Sequence, residues 1–214
     1  MRLIASLLLA QAALAAVAVD LTAYRPGPVR VTKQEATLTV EWNDESSRPW
    51  RAVFSLDPEQ PLIREIATGP ARVIEGASPL YAATTGKRHG GWDAFFDHPG
   101  RRPEEIQSFT GQFHLTAARA RTTGNRVEVA FDGLEMGLFS GGLAYTFFPN
   151  SRLVKQEALV KTPEPDVAYF YNAGIRAAAS EPRFTWYDPH GQRQSSGGAT
   201  DLMPMQVRYR TLAA

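Results

Sequence analysis

The run Ala36-Thr-Leu-Thr-Val-Glu-Trp42 alternates without a break between apolar and polar side chains. A period of two is what a half-buried strand requires, whereas the apolar positions of an amphipathic helix recur every three or four residues. Ala36, Leu38, Val40 and Trp42 therefore face a core, and Thr37, Thr39 and Glu41 face water. The same alternation returns in Trp50, Ala52, Phe54 and Leu56, in Phe113, Leu115 and Ala117, and in Val127, Val129 and Phe131. Thr123-Gly124-Asn125 and Asp132-Gly133 read as turns flanking the last of these runs. Further strands are expected over 143–148, 153–161, 167–173, 184–187 and 207–211, with Ser195-Ser196-Gly197-Gly198 as a hairpin tip. Helix is confined to a turn or two at 103–107 and 92–97. The expected fold is one all-β domain, an antiparallel β-sandwich over residues 24–211 with a long excursion near 78–105.

The N-terminus carries the pattern of a signal peptide, residues 1–18. Arg2 supplies the positive charge, Leu3 to Leu9 an apolar run, and Ala13-Leu14-Ala15 and Ala16-Val17-Ala18 small-residue cleavage sites. That run is too short for the roughly 20 apolar residues of a bilayer-spanning helix, so no integral membrane span is expected once it is removed. A periplasmic or secreted location follows.

The chain has no cysteine, which excludes thiol nucleophiles, cysteine zinc sites and disulfide stapling. Stability must come from burial, and the roughly 195 residues beyond the leader suffice for one sizeable core. The formal charge of the whole chain is +1, with no basic stripe, so nucleic acid is not an expected partner. A Gly-x-Ser-x-Gly elbow, a phosphate loop and a dinucleotide fingerprint are all absent from the sequence. No cofactor is expected.

Chemistry-bearing residues crowd into Gly86–Gly100, which holds two of the four histidines together with Trp92, Asp93, Phe95, Phe96 and Asp97. Glycine- and proline-bounded segments carry function more often than regular elements do. A sugar site combines an aromatic platform with polar groups that bond hydroxyls. Trp92 supplies such a platform, with Arg88, His89 and Asp93 as the polar groups. The competing reading makes the aromatics a plug beneath a long loop. A metal reading through His89, Asp93, Asp97 and His98 needs a helix that Gly90 and Gly91 disfavour, and no metal is assigned.

Elsewhere, Glu157 shares a strand face with Leu153, Lys155 and Leu159, where it either reaches the rim or pairs with Lys155. His114 points away from the face of Phe113 and Leu115. Proton transfer would require a histidine, His89 or His114, to approach Glu157 or Asp93 across one cleft. Tyr169 and Tyr171 share one face of their strand and Phe170 takes the other. With Tyr145, Phe147 and Phe148 they load the second half with aromatics, as core or as a concave polysaccharide-binding face.

The block Gly137–Glu157, continuing through Val167-Ala-Tyr-Phe-Tyr-Asn-Ala-Gly174, resembles secreted bacterial proteins of uncharacterised function, in which it belongs to the N-terminal part of a longer chain. Paired strands around a Pro149-Asn150-Ser151 turn, over residues 106–175, also resemble galactose-mutarotase-like supersandwich domains. Those domains occur in sugar epimerases and in polysaccharide lyases and hydrolases, so the resemblance implies a carbohydrate context. Aldose epimerases place a catalytic histidine beside an asparagine shortly before a Tyr-Phe-Asn-like stretch. Here Val167-Ala168 precedes Tyr169-Phe-Tyr-Asn172, without a histidine, and no catalytic residue is carried over.

These readings lead to an exported carbohydrate-binding or accessory module whose partner is a carbohydrate or polysaccharide. The alternatives are a sugar-processing enzyme of mutarotase-like, lyase or hydrolase type, and a structural envelope module without ligand. Val207–Thr211 reads as a last strand. Either Arg208 and Arg210 guard its open edge, or the chain is the N-terminal part of a longer protein.

Overall fold

The structure, a computed structural model, describes residues 17–89, 103–177, 184–196 and 212–213. Among them the chain is nearly all β. The first sheet has the order β1-β8-β9-β10-β11, formed by β1 (Ala18–Ala23), β8 (Gln112–Thr123), β9 (Arg126–Met136), β10 (Phe139–Phe147) and β11 (Val154–Lys161). The second has the order β12-β6-β5-β4-β3-β2, from β2 (Arg30–Gln34), β3 (Thr37–Asn43), β4 (Pro49–Ser55), β5 (Ile63–Thr68), β6 (Ala71–Lys87) and β12 (Val167–Ala177). The short β7 (Gln107–Thr110) also pairs with β6. A small third sheet joins β13 (Phe184–Tyr187) to β14 (Arg193–Ser196) and β15 (Leu212–Ala213). Pairing is antiparallel except for β1 beside β8. Parallel neighbours need a long crossover, and here the intervening chain builds the second sheet.

The first two sheets pack face to face, as the alternation demands. Leu38, Val40 and Trp42 of β3 and Ala52 and Phe54 of β4 are buried against Val127, Val129 and Phe131 of β9 and Leu143, Tyr145 and Phe147 of β10. Phe54 stands at the centre, its ring 4.9 Å from those of both Phe131 and Tyr145. Trp42 meets Phe147 at 4.9 Å and donates its indole N–H to the Ser151 carbonyl at 2.7 Å. Tilted and edge-on ring pairs of this kind add to the stabilisation from area alone. Outward-facing charges pair across strands: Arg51 and Arg72 on Glu65 at 2.6 and 3.0 Å, and Arg119 on Asp132 at 2.6 Å.

Among the described residues one carboxylate is buried. Asp44, in the β3–β4 turn, accepts bonds from the Ser46 and Arg48 amides at 2.8 and 3.0 Å and from the Trp50 indole at 3.2 Å. Burial alone would raise its pKa, but those bonds and the nearby Arg152 charge outweigh it and hold the carboxyl below its ordinary value.

Four sequence expectations are corrected. Asp132-Gly133 is not a turn: β9 runs through it to Met136, and the chain turns at Gly137-Leu138. Gly133 adopts φ 120°, and a side chain there would strike the His114 carbonyl at 1.8 Å, because β8 and β9 shift register at this point. That shift reverses the phase of β8, so Ala118 and Ala120 join Leu115 in the core instead of Ala117. The excursion begins later than residue 78, since β6 continues to Lys87. Its Pro79 falls between the end of β5 pairing at Ala77 and the start of β7 pairing at Ala82, where a missing amide costs no ladder bond to either strand. Finally, Ser195 and Ser196 belong to β14, whose hairpin with β13 turns at Asp188–Gln192, while Gly197 and Gly198 of the expected tip lie outside the described residues. Thr123-Gly124-Asn125 is a turn as expected, with Gly124 at φ 63°.

Candidate functional site

The long strand β6 carries the candidate site to its C-terminal end. From Ala77 to Lys87 it is hydrogen-bonded along β12 without a bulge. Over Ala82–Thr85 it is also flanked by β7. The Arg88 amide extends this alignment by one more bond, 2.6 Å to the Asp166 carbonyl. Arg88 and His89 therefore leave the sheet in a fixed direction, and both are partly buried. His89 Nε2 lies 2.8 Å from Glu105 Oε2, on the 3-10 turn Pro103–Glu105 that precedes β7. Trp92 and Asp93, expected beside them, lie outside the described residues, as do Phe95, Phe96, Asp97 and His98.

On β12, Tyr169 and Tyr171 pair with Thr85 and Ala83, both buried, so they project toward the opposite sheet. The Tyr169 ring meets Phe139 of β10 at 5.4 Å. Yet Tyr169 and Tyr171 remain 40% and 54% exposed, because β12 is the last strand of its sheet and no further strand covers their outer flank among the described residues. Phe170 points to the other face and is also exposed. The result is an open aromatic strip whose near end, at Thr85, lies four residues or about 13 Å of strand from His89.

Behind the strip sits a polar group of three. Gln156 of β11 donates to the Tyr81 hydroxyl at 3.2 Å and to the Gly174 carbonyl at 3.4 Å. Its Oε1 and the Tyr145 hydroxyl are buried without a hydrogen-bond partner among the described residues. Burial pushes the Tyr145 phenol well above its usual pKa. Tyr81 is raised for the same reason, with Gln156 opposing and Tyr171 and Glu157 adding to the rise. Deprotonation of either phenol near neutral pH is thus disfavoured, and both serve as neutral hydroxyls.

His89 meets Glu105, which the sequence reading did not single out, since sixteen residues separate the two. Glu157 pairs with Lys155 at 2.6 Å, one of the two placements expected of it. His114 is exposed. No cluster of three or more metal-ligating side chains occurs among the described residues.

A cleft of about 350 Å³ opens elsewhere, between the β4–β5 loop, Ser78 and Pro79 of β6, and Phe113 and Leu115 of β8. It sits ten residues back along β6 from Arg88. Its Asp57 is occupied within its own loop, accepting the Glu59 amide at 3.0 Å, so the polar groups there stiffen the loop. No helix among the described residues is long and apolar enough to cross a membrane. The chain matches no protein-family model, and no curated protein is significantly similar to it.

Proposed function

We propose that the protein is an exported carbohydrate-binding or accessory module of a carbohydrate-active system. The observation that carries this reading is the exposed Tyr169–Tyr171 strip, hydrogen-bonded along β12 to the strand that leads into Arg88 and His89. Tyrosine rings offer a flat apolar face to the C–H side of a pyranose, while a guanidinium and an imidazole offer donors to its hydroxyls. Large exposed aromatics on a soluble sheet otherwise cost solubility, and an open patch of them marks a contact surface. The N-terminal leader pattern supports export. A glycan array spanning neutral and acidic polysaccharides tests the reading, with Trp92→Ala alongside. Retention of one glycan class, weakened by the variant, is expected; silence across the array would remove the proposal.

A second reading rests on the His89–Glu105 pair. A carboxylate within hydrogen-bond distance of an imidazole orients it for general acid–base work, as a sugar lyase, epimerase or hydrolase would need. It predicts turnover of the retained glycan, abolished by Glu105→Gln while binding persists.

A further inference from the structure

The two main sheets end in four terminal strands, and they are not alike. β1 and β2 are short, at six and five residues. β2 carries Arg30 and Lys33, and β11 carries Lys155, Glu157 and Lys161. Short length and charge are the usual devices that stop one sheet edge from pairing with another. β12 has neither. It is eleven residues long, Val167-Ala-Tyr-Phe-Tyr-Asn-Ala-Gly-Ile-Arg-Ala177, with no charge or proline before Arg176. Nor does it have a bulge, since its eleven pairs with β6 run in unbroken register. Beyond that ladder, the bond from Gln156 to the Gly174 carbonyl is the sole further hydrogen bond to its backbone among the described residues.

We infer that β12 is the self-association edge of this protein, pairing antiparallel with β12 of a second copy. The sequence of the strand is what selects that occupant. Full overlap of two identical antiparallel strands places the two-fold axis at the midpoint, Asn172. Tyr171 then stands opposite Ala173, Phe170 opposite Gly174 and Tyr169 opposite Ile175, so bulky rings meet small or aliphatic partners. The one charge, Arg176, falls opposite Ala168 and one pleat from Asp166 of the second copy, a complementary pair. No like charges face each other in this register. A two-fold contact of this kind closes on itself and stops at a dimer. Its length, about 36 Å of strand, gives a small interface, so the association is concentration-dependent.

Asn172 is exposed and pairs with Ala82 on the outward face, so it tolerates charge without disturbing the core. Sedimentation equilibrium of the full chain over a micromolar range tests the inference, with Asn172→Lys and Asn172→Glu made separately and folding checked by circular dichroism. Wild type is expected to approach twice the chain mass. Each variant places like charges on the axis and weakens association at least about fivefold. An equimolar mixture of the two restores a dimer, because lysine then faces glutamate. A monomer at every concentration would overturn the inference, and so would association that either variant leaves unchanged or that mixing fails to restore. Each readout is a mass, so the result is independent of whether a glycan binds.

Discussion

Two groups of aromatic side chains occupy this sandwich, and their surroundings are opposite. Phe54, Phe131, Tyr145, Phe147 and Trp42 interlock between the sheets and are at most 3% exposed. Tyr169, Phe170 and Tyr171 stand on a strand of the same fold at 40–54% exposure, held along one edge only among the described residues. The first group is accounted for by the removal of apolar surface from water. The second gains less from folding, since about half of its surface stays wet. An aromatic strip left half exposed is the feature that the proposed contact surface explains.

The comparison is broken most forcefully at the centre of the first group. Phe54→Ala empties a site touching three rings. It is expected to cost about 3–5 kcal/mol, read as a lowered midpoint in chemical denaturation with an unchanged slope. A loss below about 1 kcal/mol would show that the two groups are not energetically distinct.

The buried group was largely legible beforehand, because period two places Leu38, Val40, Trp42, Phe54 and Phe131 on one side by arithmetic alone. Tyr169 and Tyr171 were assigned to one face by the same rule. What alternation could not supply was the partner of each strand. β6 was invisible because Gly76-Ala77-Ser78-Pro79 has no apolar rhythm, and its order comes from β5, β7 and β12 beside it. The turn assigned to Asp132-Gly133 failed because glycine serves a bulge as well as a turn, and only the register of β8 distinguishes them. The meeting of Glu105 with His89 is made by chain pairing, so sequence spacing carries no signal of it. Arg88 and His89 follow the end of β6, both partly buried, while Trp92 and Asp93 lie outside the described residues.

A smaller effect separates the two regions by pH. Asp44 closes the β3–β4 hairpin next to the buried tryptophan, and its folded pKa lies below its ordinary value of 3.8. A group depressed on folding contributes its stability above the unfolded pKa and loses it as pH falls through the folded one. Acidification below about pH 4 should therefore destabilise the protein in part through Asp44. Asp44→Asn should be less stable than wild type at pH 7 and show a shallower further decline below pH 4. An acid limb of unchanged slope in thermal melts would remove Asp44 from that account.

The smallest expected change in stability belongs to the exposed strip, and it gives the most direct test of the account. Tyr171→Ala should shift the melting temperature by no more than about 2 °C, since a surface substitution away from packing and caps is worth about 0.5 kcal/mol or less. The same variant should lose at least about tenfold in affinity for the glycan that the wild-type protein retains, the loss of one stacking ring being on the order of 1–2 kcal/mol. Melting and titration calorimetry on one preparation read both. A stable variant with impaired binding is the predicted result. A variant that binds as wild type, or one that melts as early as Phe54→Ala, would contradict the claim that this strip exists for contact and not for the fold.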